Sequence, residues 1–135
     1  MERGYIGRCL CKAVRYECGP LLYPPTLCHC ESCRGAAGAH VVGWLTVRRG
    51  DVQWSGASPR EYESSPGVHR GFCERCGTPL TYRCQQRPEE IDLTIGSLEQ
   101  PATAAPVDHI WMQDAPPWDR PGDGLPQHPA GRRVS

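Results

Sequence analysis

Nine cysteines in a chain of 135 residues carry most of its chemical information. Seven of them fall into three short clusters: Cys9-Leu10-Cys11, Cys28-His29-Cys30-Glu31-Ser32-Cys33 and Cys73-Glu74-Arg75-Cys76. Thiolate sulfur is a preferred ligand of zinc, which takes four ligands in a tetrahedron. An odd number of cysteines also leaves at least one thiol outside any disulfide scheme within the chain. The clusters therefore predict metal binding in preference to ordinary buried or disulfide-bonded cysteine.

The first and third clusters each offer two sulfur atoms to one ion. If Cys9 and Cys11 lie on a strand, their side chains point to the same face. A Cys-x-x-Cys turn brings Cys73 and Cys76 together, and Gly77 lets the backbone turn sharply after them. The pairs predict one closed, structural zinc site with four thiolate ligands, which would join segments about sixty positions apart and stabilise a small domain.

The middle cluster supplies three sulfur atoms within six residues, from Cys28, Cys30 and Cys33. Three protein ligands and one exchangeable position make up a catalytic type of zinc site. The open position would accept water, a thiol or a carbonyl oxygen. The sequence therefore predicts a second zinc, so that two ions bind per chain.

Two other arrangements of the cysteines are compatible with the sequence. In one, the middle cluster is a second structural site, completed by His29, Cys18 or Cys84. In the other, the two Cys-x-x-Cys pairs form a single ribbon-like site of Cys30, Cys33, Cys73 and Cys76. The spacing alone leaves both open.

Three further residues are candidates for a substrate pocket. Arg34 directly follows Cys33, and a guanidinium there would offset the charge of a zinc–thiolate group and hold a substrate carboxylate. His109 and Trp111 lie close together late in the chain. An ordinary surface arginine and a hydrogen-bonded histidine are the alternative interpretations.

Short strands separated by turns must position these residues. Alternation of apolar and polar side chains predicts half-buried strands over 13–18 and 91–95. Further strands are predicted over 5–11, 41–47, 52–54, 60–63, 68–72, 79–83 and 109–112, with a proline-marked loop at 22–26. Because no segment shows sustained helical periodicity, we expect about one helical turn after Cys28 and no long helix. The predicted class is mainly β.

The chain divides by composition into two segments. Residues 1–114 carry all nine cysteines and are predicted to form one zinc-binding β domain. Residues 115–135 contain five prolines and three glycines, which predicts an extended C-terminal extension. Trp118 is expected to pack the start of this extension against the body.

Charge and hydropathy exclude several classes of partner. The formal net charge is zero, so we expect no nucleic-acid binding. No apolar run approaches the roughly 18 residues of a membrane span, and the first ten residues lack the apolar core of a signal peptide. The expected location is the cytoplasm, where reduced thiols are free to bind metal.

The ordered motifs resemble the glutathione-dependent formaldehyde-activating enzyme family, which includes centromere protein V. The resemblance extends from about residue 4 to 129. It rests on Gly7-Arg8-Cys9-Leu10-Cys11, on Cys28-His29-Cys30-Glu31-Ser32-Cys33-Arg34, on Phe72-Cys73-Glu74-Arg75-Cys76-Gly77-Thr78-Pro79, and on His109-Ile110-Trp111 with Pro117-Trp118. Lys12 departs from the family, which usually has glycine after the second cysteine.

The resemblance implies a β-tent fold of small coiled sheets, organised around zinc. It implies a structural zinc on Cys9, Cys11, Cys73 and Cys76, and a catalytic-type zinc on Cys28, Cys30 and Cys33. The implied activity is that of a carbon–sulfur lyase, which adds a small-molecule thiol to an aldehyde. Glutathione as co-substrate and formaldehyde would give S-hydroxymethylglutathione. The alternative is a non-catalytic structural or binding module with two zinc ions.

Overall fold

A computed structural model of the protein describes residues 4–132. Residues 1–3 and 133–135, the outer ends of the two predicted segments, lie outside the described residues. The strands are β1 Tyr5–Arg8, β2 Val14–Cys18, β3 Leu21–Cys28, β4 Val42–Arg48, β5 Gln53–Gly56, β6 Arg60–Ser65, β7 Val68–Phe72, β8 Pro79–Cys84, β9 Glu90–Thr94 and β10 His109–Ile110. The described helices are α1, Glu31–Ala37, and four 3-10 turns at Arg49–Asp51, Ile95–Ser97, Pro101–Ala104 and Met112–Asp114. The predicted mainly β class is confirmed.

The strands form two sheets. The smaller sheet has three strands in the order β1-β2-β5, and the larger has seven in the order β10-β3-β4-β9-β8-β7-β6. All pairs are antiparallel except β10 with β3, which is parallel. That parallel pair brings a late segment of the chain beside the middle cysteine cluster.

The larger sheet supports a separate apolar cluster on each face. Leu45 and Leu93 pack with Tyr16 of the smaller sheet in the main core. Trp44 belongs instead to a second cluster with Cys33 of α1. Because successive side chains of a strand point to opposite faces, β4 contributes to both clusters. One face therefore stabilises the fold and the other carries the helix and the middle cysteines.

The predicted loop at 22–26 is wrong, because these residues belong to β3. The register between β3 and β4 shifts between Tyr23 and Thr26, around Pro24 and Pro25. Proline has no N–H to donate to a sheet, and an irregular stretch of pairing tolerates that loss. Two consecutive prolines thus interrupt the regular pairing of the strand without ending it.

The helix is longer than the single predicted turn. Cys30 is its N-cap, and its Sγ accepts a hydrogen bond from the Cys33 N–H at 3.2 Å. Gly38 ends it in the left-handed conformation, φ 65°, where glycine has no steric cost. Across residues 4–132, no helix has the length and apolar character needed to span a membrane.

The described part of the C-terminal extension lies along β10. The His109 N–H donates to the Pro126 carbonyl at 2.9 Å. Arg132 donates two hydrogen bonds to the Asp108 carboxylate, at 2.7 and 2.8 Å. The side chain of Trp118, the expected contact with the body, is 69% exposed and lies beside the His40 ring. Polar contacts therefore hold most of this segment in place.

Candidate metal centres

Four cysteines from two distant turns meet at one point. The Sγ atoms of Cys9, Cys11, Cys73 and Cys76 all lie within 4.8 Å of one another. The Cys9–Cys11 and Cys11–Cys73 sulfur separations are 3.6 and 3.7 Å. Four thiolates bound tetrahedrally to zinc at about 2.3 Å would be about 3.8 Å apart. The donor set therefore fits one zinc ion without rearrangement.

Local turns, not a strand, create each sulfur pair. Because β1 ends at Arg8, Cys9 and Cys11 share a turn, in which the Lys12 N–H donates to the Cys9 carbonyl at 3.1 Å. In the second turn the Gly77 N–H donates to the Cys73 carbonyl at 2.7 Å. Both turns end in a left-handed residue, Lys12 at φ 68° and Gly77 at φ 82°. The first turn therefore needs a positive φ at position 12, where the family usually has glycine.

Thr78 connects the two turns. Its Oγ1 accepts a hydrogen bond from the Leu10 N–H at 3.0 Å and lies 3.1 Å from the Cys76 Sγ. The hydrogen bond from the Thr78 hydroxyl is the main cause that lowers the pKa of the Cys76 thiol to about 5. Sequence reasoning missed this residue, since only the folded turns place its hydroxyl between both pairs.

The strain at Lys12 gives a stability prediction. A left-handed conformation costs a residue with a Cβ about 1–2 kcal/mol, partly offset by the roughly 0.5–1 kcal/mol that glycine loses in backbone entropy. We expect Lys12→Gly to raise the unfolding free energy by about 0.5–1 kcal/mol, or roughly 3 °C in Tm, in thermal melts of metal-loaded protein. Lys12→Ala keeps the Cβ and should not stabilise. Equal melting temperatures of Lys12→Gly and Lys12→Ala would contradict this account.

The middle cluster lies where β3 meets α1. Cys28 ends the strand, Cys30 caps the helix and Cys33 lies in its first turn. Their three Sγ atoms lie within 4.8 Å of one another. Within residues 4–132 the group contains no fourth side chain of cysteine, histidine, aspartate or glutamate. Three thiolates bound to one zinc ion would leave its fourth position for an exchangeable ligand.

The two alternative arrangements are not supported by these positions. Both ring nitrogens of His29 bind other side chains, so that the ring is not free to complete the middle site. Cys18 packs in the main core, and Cys84 does not belong to the group formed by the three middle cysteines. The ribbon-like site is excluded because its two Cys-x-x-Cys pairs lie in different groups. Cys30 and Cys33 lie with Cys28, whereas Cys73 and Cys76 lie with Cys9 and Cys11.

The three middle thiols share their protons. Hydrogen bonds from Cys28 and Cys33 lower the pKa of the Cys30 thiol. The same interaction with Cys30 raises the pKa of Cys28. These hydrogen bonds favour the thiolate form of Cys30, and a bound cation would favour release of the remaining protons.

A cavity of about 450 Å³ opens onto the three sulfurs. Arg70 contributes the nearest cation: its Nη1 lies 3.6 Å from the Cys33 Sγ, and its guanidinium lies over the Tyr82 ring, 5.0 Å from the centroid. Trp44 also lines the cavity. No local sequence pattern identifies Arg70 as a pocket residue. The pairing of β7 with β8 places it opposite Tyr82.

The three predicted pocket residues occupy different places. Trp111 lines the cavity, whereas Arg34 and His109 are not among its lining residues. Arg34 donates to the carbonyls of His29 and Asp114 at 3.3 and 3.1 Å. The His109 ring is buried against His29, with 2.8 Å between their nitrogens. Both therefore lie behind the cysteine cluster.

Comparison with known proteins places this chain in a family. Residues 4–114 match the family model described as glutathione-dependent formaldehyde-activating enzyme. The chain belongs to this family. A stretch of 80 residues is also 32% identical to an uncharacterized lyase of Schizosaccharomyces pombe. That match covers 58% of this chain and 56% of the yeast protein. The chain thus spans about half the length of that relative.

A solved structure has a similar fold. The crystal structure of a Rhodobacter sphaeroides protein is similar with a TM-score of 0.58 and 27% sequence identity, and the match covers 70% of this chain and 87% of that one. The family name refers to glutathione-dependent formaldehyde activation, and the yeast relative is named a lyase.

Proposed function

We propose that this protein is a zinc-dependent carbon–sulfur lyase that forms and cleaves adducts of a thiol with an aldehyde. The observation that carries the proposal is the three-thiolate cluster of Cys28, Cys30 and Cys33, which faces a cavity of about 450 Å³. By the family name, glutathione and formaldehyde are the proposed substrates and S-hydroxymethylglutathione the adduct. In that reaction a C–S bond forms, and the thiol proton passes to the carbonyl oxygen; the reverse breaks the same bond.

The two cysteine clusters have separate proposed roles. Cys9, Cys11, Cys73 and Cys76 would hold a structural zinc, since four thiolates leave no open position. A zinc ion on the middle cluster would supply Lewis acidity at one exchangeable position, where a thiol or carbonyl group can bind. Trp44, Tyr82 and Trp111 wall the cavity and limit access of water to the reacting groups.

Arg70 is the proposed contact for an anionic part of the substrate. Its guanidinium lines the cavity next to Cys33, whereas that of Arg34 is hydrogen-bonded to two backbone carbonyls. A charged hydrogen bond contributes about 1.5–3 kcal/mol, so its loss should weaken binding of glutathione about tenfold or more.

A reducing compartment suits this function. All nine cysteines are free thiols, and oxidation of either cluster would remove metal ligands. We therefore propose a cytoplasmic location, which microscopy of the tagged full-length protein would test; secretion would contradict it.

The first experiment measures zinc per chain by elemental analysis and adduct turnover by NMR exchange between ¹³C-formaldehyde and glutathione. We expect about two zinc ions and exchange faster than in the uncatalysed mixture. Two zinc ions without faster exchange would overturn the lyase proposal and favour a non-catalytic module. In the same assay Arg70→Leu should raise KM about tenfold for glutathione but little for 2-mercaptoethanol, which lacks carboxylates; equal effects would remove Arg70 from substrate binding.

A further inference from the structure

Four side chains form a continuous hydrogen-bonded chain beside the middle cluster. Asp119 Oδ2 lies 2.7 Å from His29 Nδ1, His29 Nε2 lies 2.8 Å from His109 Nδ1, and His109 Nε2 lies 2.8 Å from Asp123 Oδ2. The two histidines are only 1% and 3% exposed. All four ring nitrogens therefore have a partner and both rings are buried, while Asp123 forms the exposed end, with 41% of its side chain exposed.

These hydrogen bonds join distant parts of the sequence at the middle cluster. His29 lies between Cys28 and Cys30, while Asp119 and Asp123 belong to the proline-rich segment 115–132. Those carboxylates are separated from His29 by about ninety residues of chain. The C-terminal segment thus contacts the residue between two of the three sulfur ligands.

The backbone of His29 is held from the same side. Its N–H donates to the Ile110 carbonyl at 3.0 Å. Its carbonyl accepts from Arg34 Nε, and the same guanidinium also donates to the carbonyl of Asp114. Ring, N–H and carbonyl of one residue are therefore all hydrogen-bonded, which sets the path of the backbone between Cys28 and Cys30.

Neither histidine lines the cavity, so neither ring faces a substrate bound there. A buried polar group that loses its partner costs about 1–3 kcal/mol, and relaxation of the backbone toward solvent would relieve that cost. Any such relaxation at His29 would move the sulfurs of the flanking cysteines. Within residues 4–132, no hydrogen bond connects the first cluster to the C-terminal segment, and Thr78 joins its two turns to each other.

We propose that Asp119, through the His29–His109 pair, is a positioning residue that holds the three middle cysteines in metal-binding geometry. The inference rests on the proposed second zinc site. It predicts that the C-terminal segment sets the affinity of the middle site and leaves that of the four-cysteine site unchanged.

The test uses full-length, zinc-loaded protein and a chromophoric chelator that competes for each ion. Loss of a group that orients metal ligands lowers metal affinity about 10–100-fold. We expect Asp119→Ala to weaken binding of the second zinc by about this factor, with the first zinc unchanged. Asp119→Asn keeps one acceptor oxygen for His29, so binding of the second zinc should weaken less, by about tenfold.

Glu61→Gln is the matched control, because Glu61 accepts two hydrogen bonds from Arg83 on the strands far from this segment. It should leave both zinc affinities unchanged. Equal weakening of both zinc ions in Asp119→Ala would indicate a general structural role, and unchanged affinities would remove the role altogether; either result overturns the proposal. Retention of the first zinc shows that a variant is folded, and if Asp119→Ala does not fold, the same comparison in Asp119→Asn decides.

This result is separable from the lyase proposal. A wild-type protein with two zinc ions and no turnover would end the proposed activity but leave the effect of Asp119 on zinc affinity intact. Turnover in the wild type with unaltered zinc affinity in the variants would support the lyase activity and end the proposed role of Asp119.

Discussion

Cys73→Ser removes most of the stability of this protein, because it takes one of four thiolates from a site that joins two distant turns. Cys73 is 1% exposed and packs in the main core with Leu80 and Cys9. Zinc binding by such sites is coupled to folding and supplies about 10–16 kcal/mol in zinc-finger peptides. A domain has only about 5–15 kcal/mol in total, so we expect the variant to be largely unfolded or to lose several kcal/mol.

Urea unfolding followed by circular dichroism measures this effect. Cys18→Ser is the matched control: Cys18 is buried in the same core, and burial raises the pKa of its thiol to about 11, so it stays a neutral thiol. Its replacement should cost only the roughly 1 kcal/mol typical of point substitutions. Removal of zinc from the wild type by a chelator should reproduce the Cys73→Ser result. Equal stability of the two serine variants would refute a structural role for the four-cysteine site.

Cys30→Ser should have the opposite profile, with the fold kept and the activity lost. The substitution leaves the four-cysteine site intact, and serine is itself a favoured N-cap, so α1 keeps its capping group in place of the Cys30 sulfur. The middle site loses a direct ligand, however, and zinc affinity should fall by more than the roughly 100-fold cost of losing an outer-shell partner. Adduct exchange should fall to the uncatalysed rate.

Zinc content, melting temperature and NMR exchange of one preparation check this prediction together. Cys84→Ser provides the control, since Cys84 is a partly exposed thiol at the end of β8 that belongs to neither cluster. It should keep two zinc ions and full exchange. Normal exchange in Cys30→Ser would show that the middle cluster is not the reacting site.

The cysteine pairs and the strand pattern were readable from the sequence because both are local. Partners such as Cys73 and Cys76 are three residues apart, so any turn brings their sulfurs together. The grouping of Cys9 with Cys11 was predicted for the wrong reason, a strand instead of a turn, yet two residues of separation suffice in either case. Alternation along β2 and β9 likewise needs no information from beyond the segment.

Contacts that depend on register or on distant segments required the tertiary structure. Arg70 meets Cys33 only because β7 pairs with β8 in one register and α1 packs over that face. Asp119 reaches His29 across about ninety residues of chain, and no local pattern encodes that approach. Arg34 is the opposite case, because its neighbour in sequence is Cys33 but its side chain does not line the cavity. Its guanidinium donates a hydrogen bond to the carbonyl of Asp114, which is distant in sequence. Local spacing determined which sulfurs pair, and long-range packing decided which cation and which carboxylates surround them, because side-chain direction and strand register are set by the whole core.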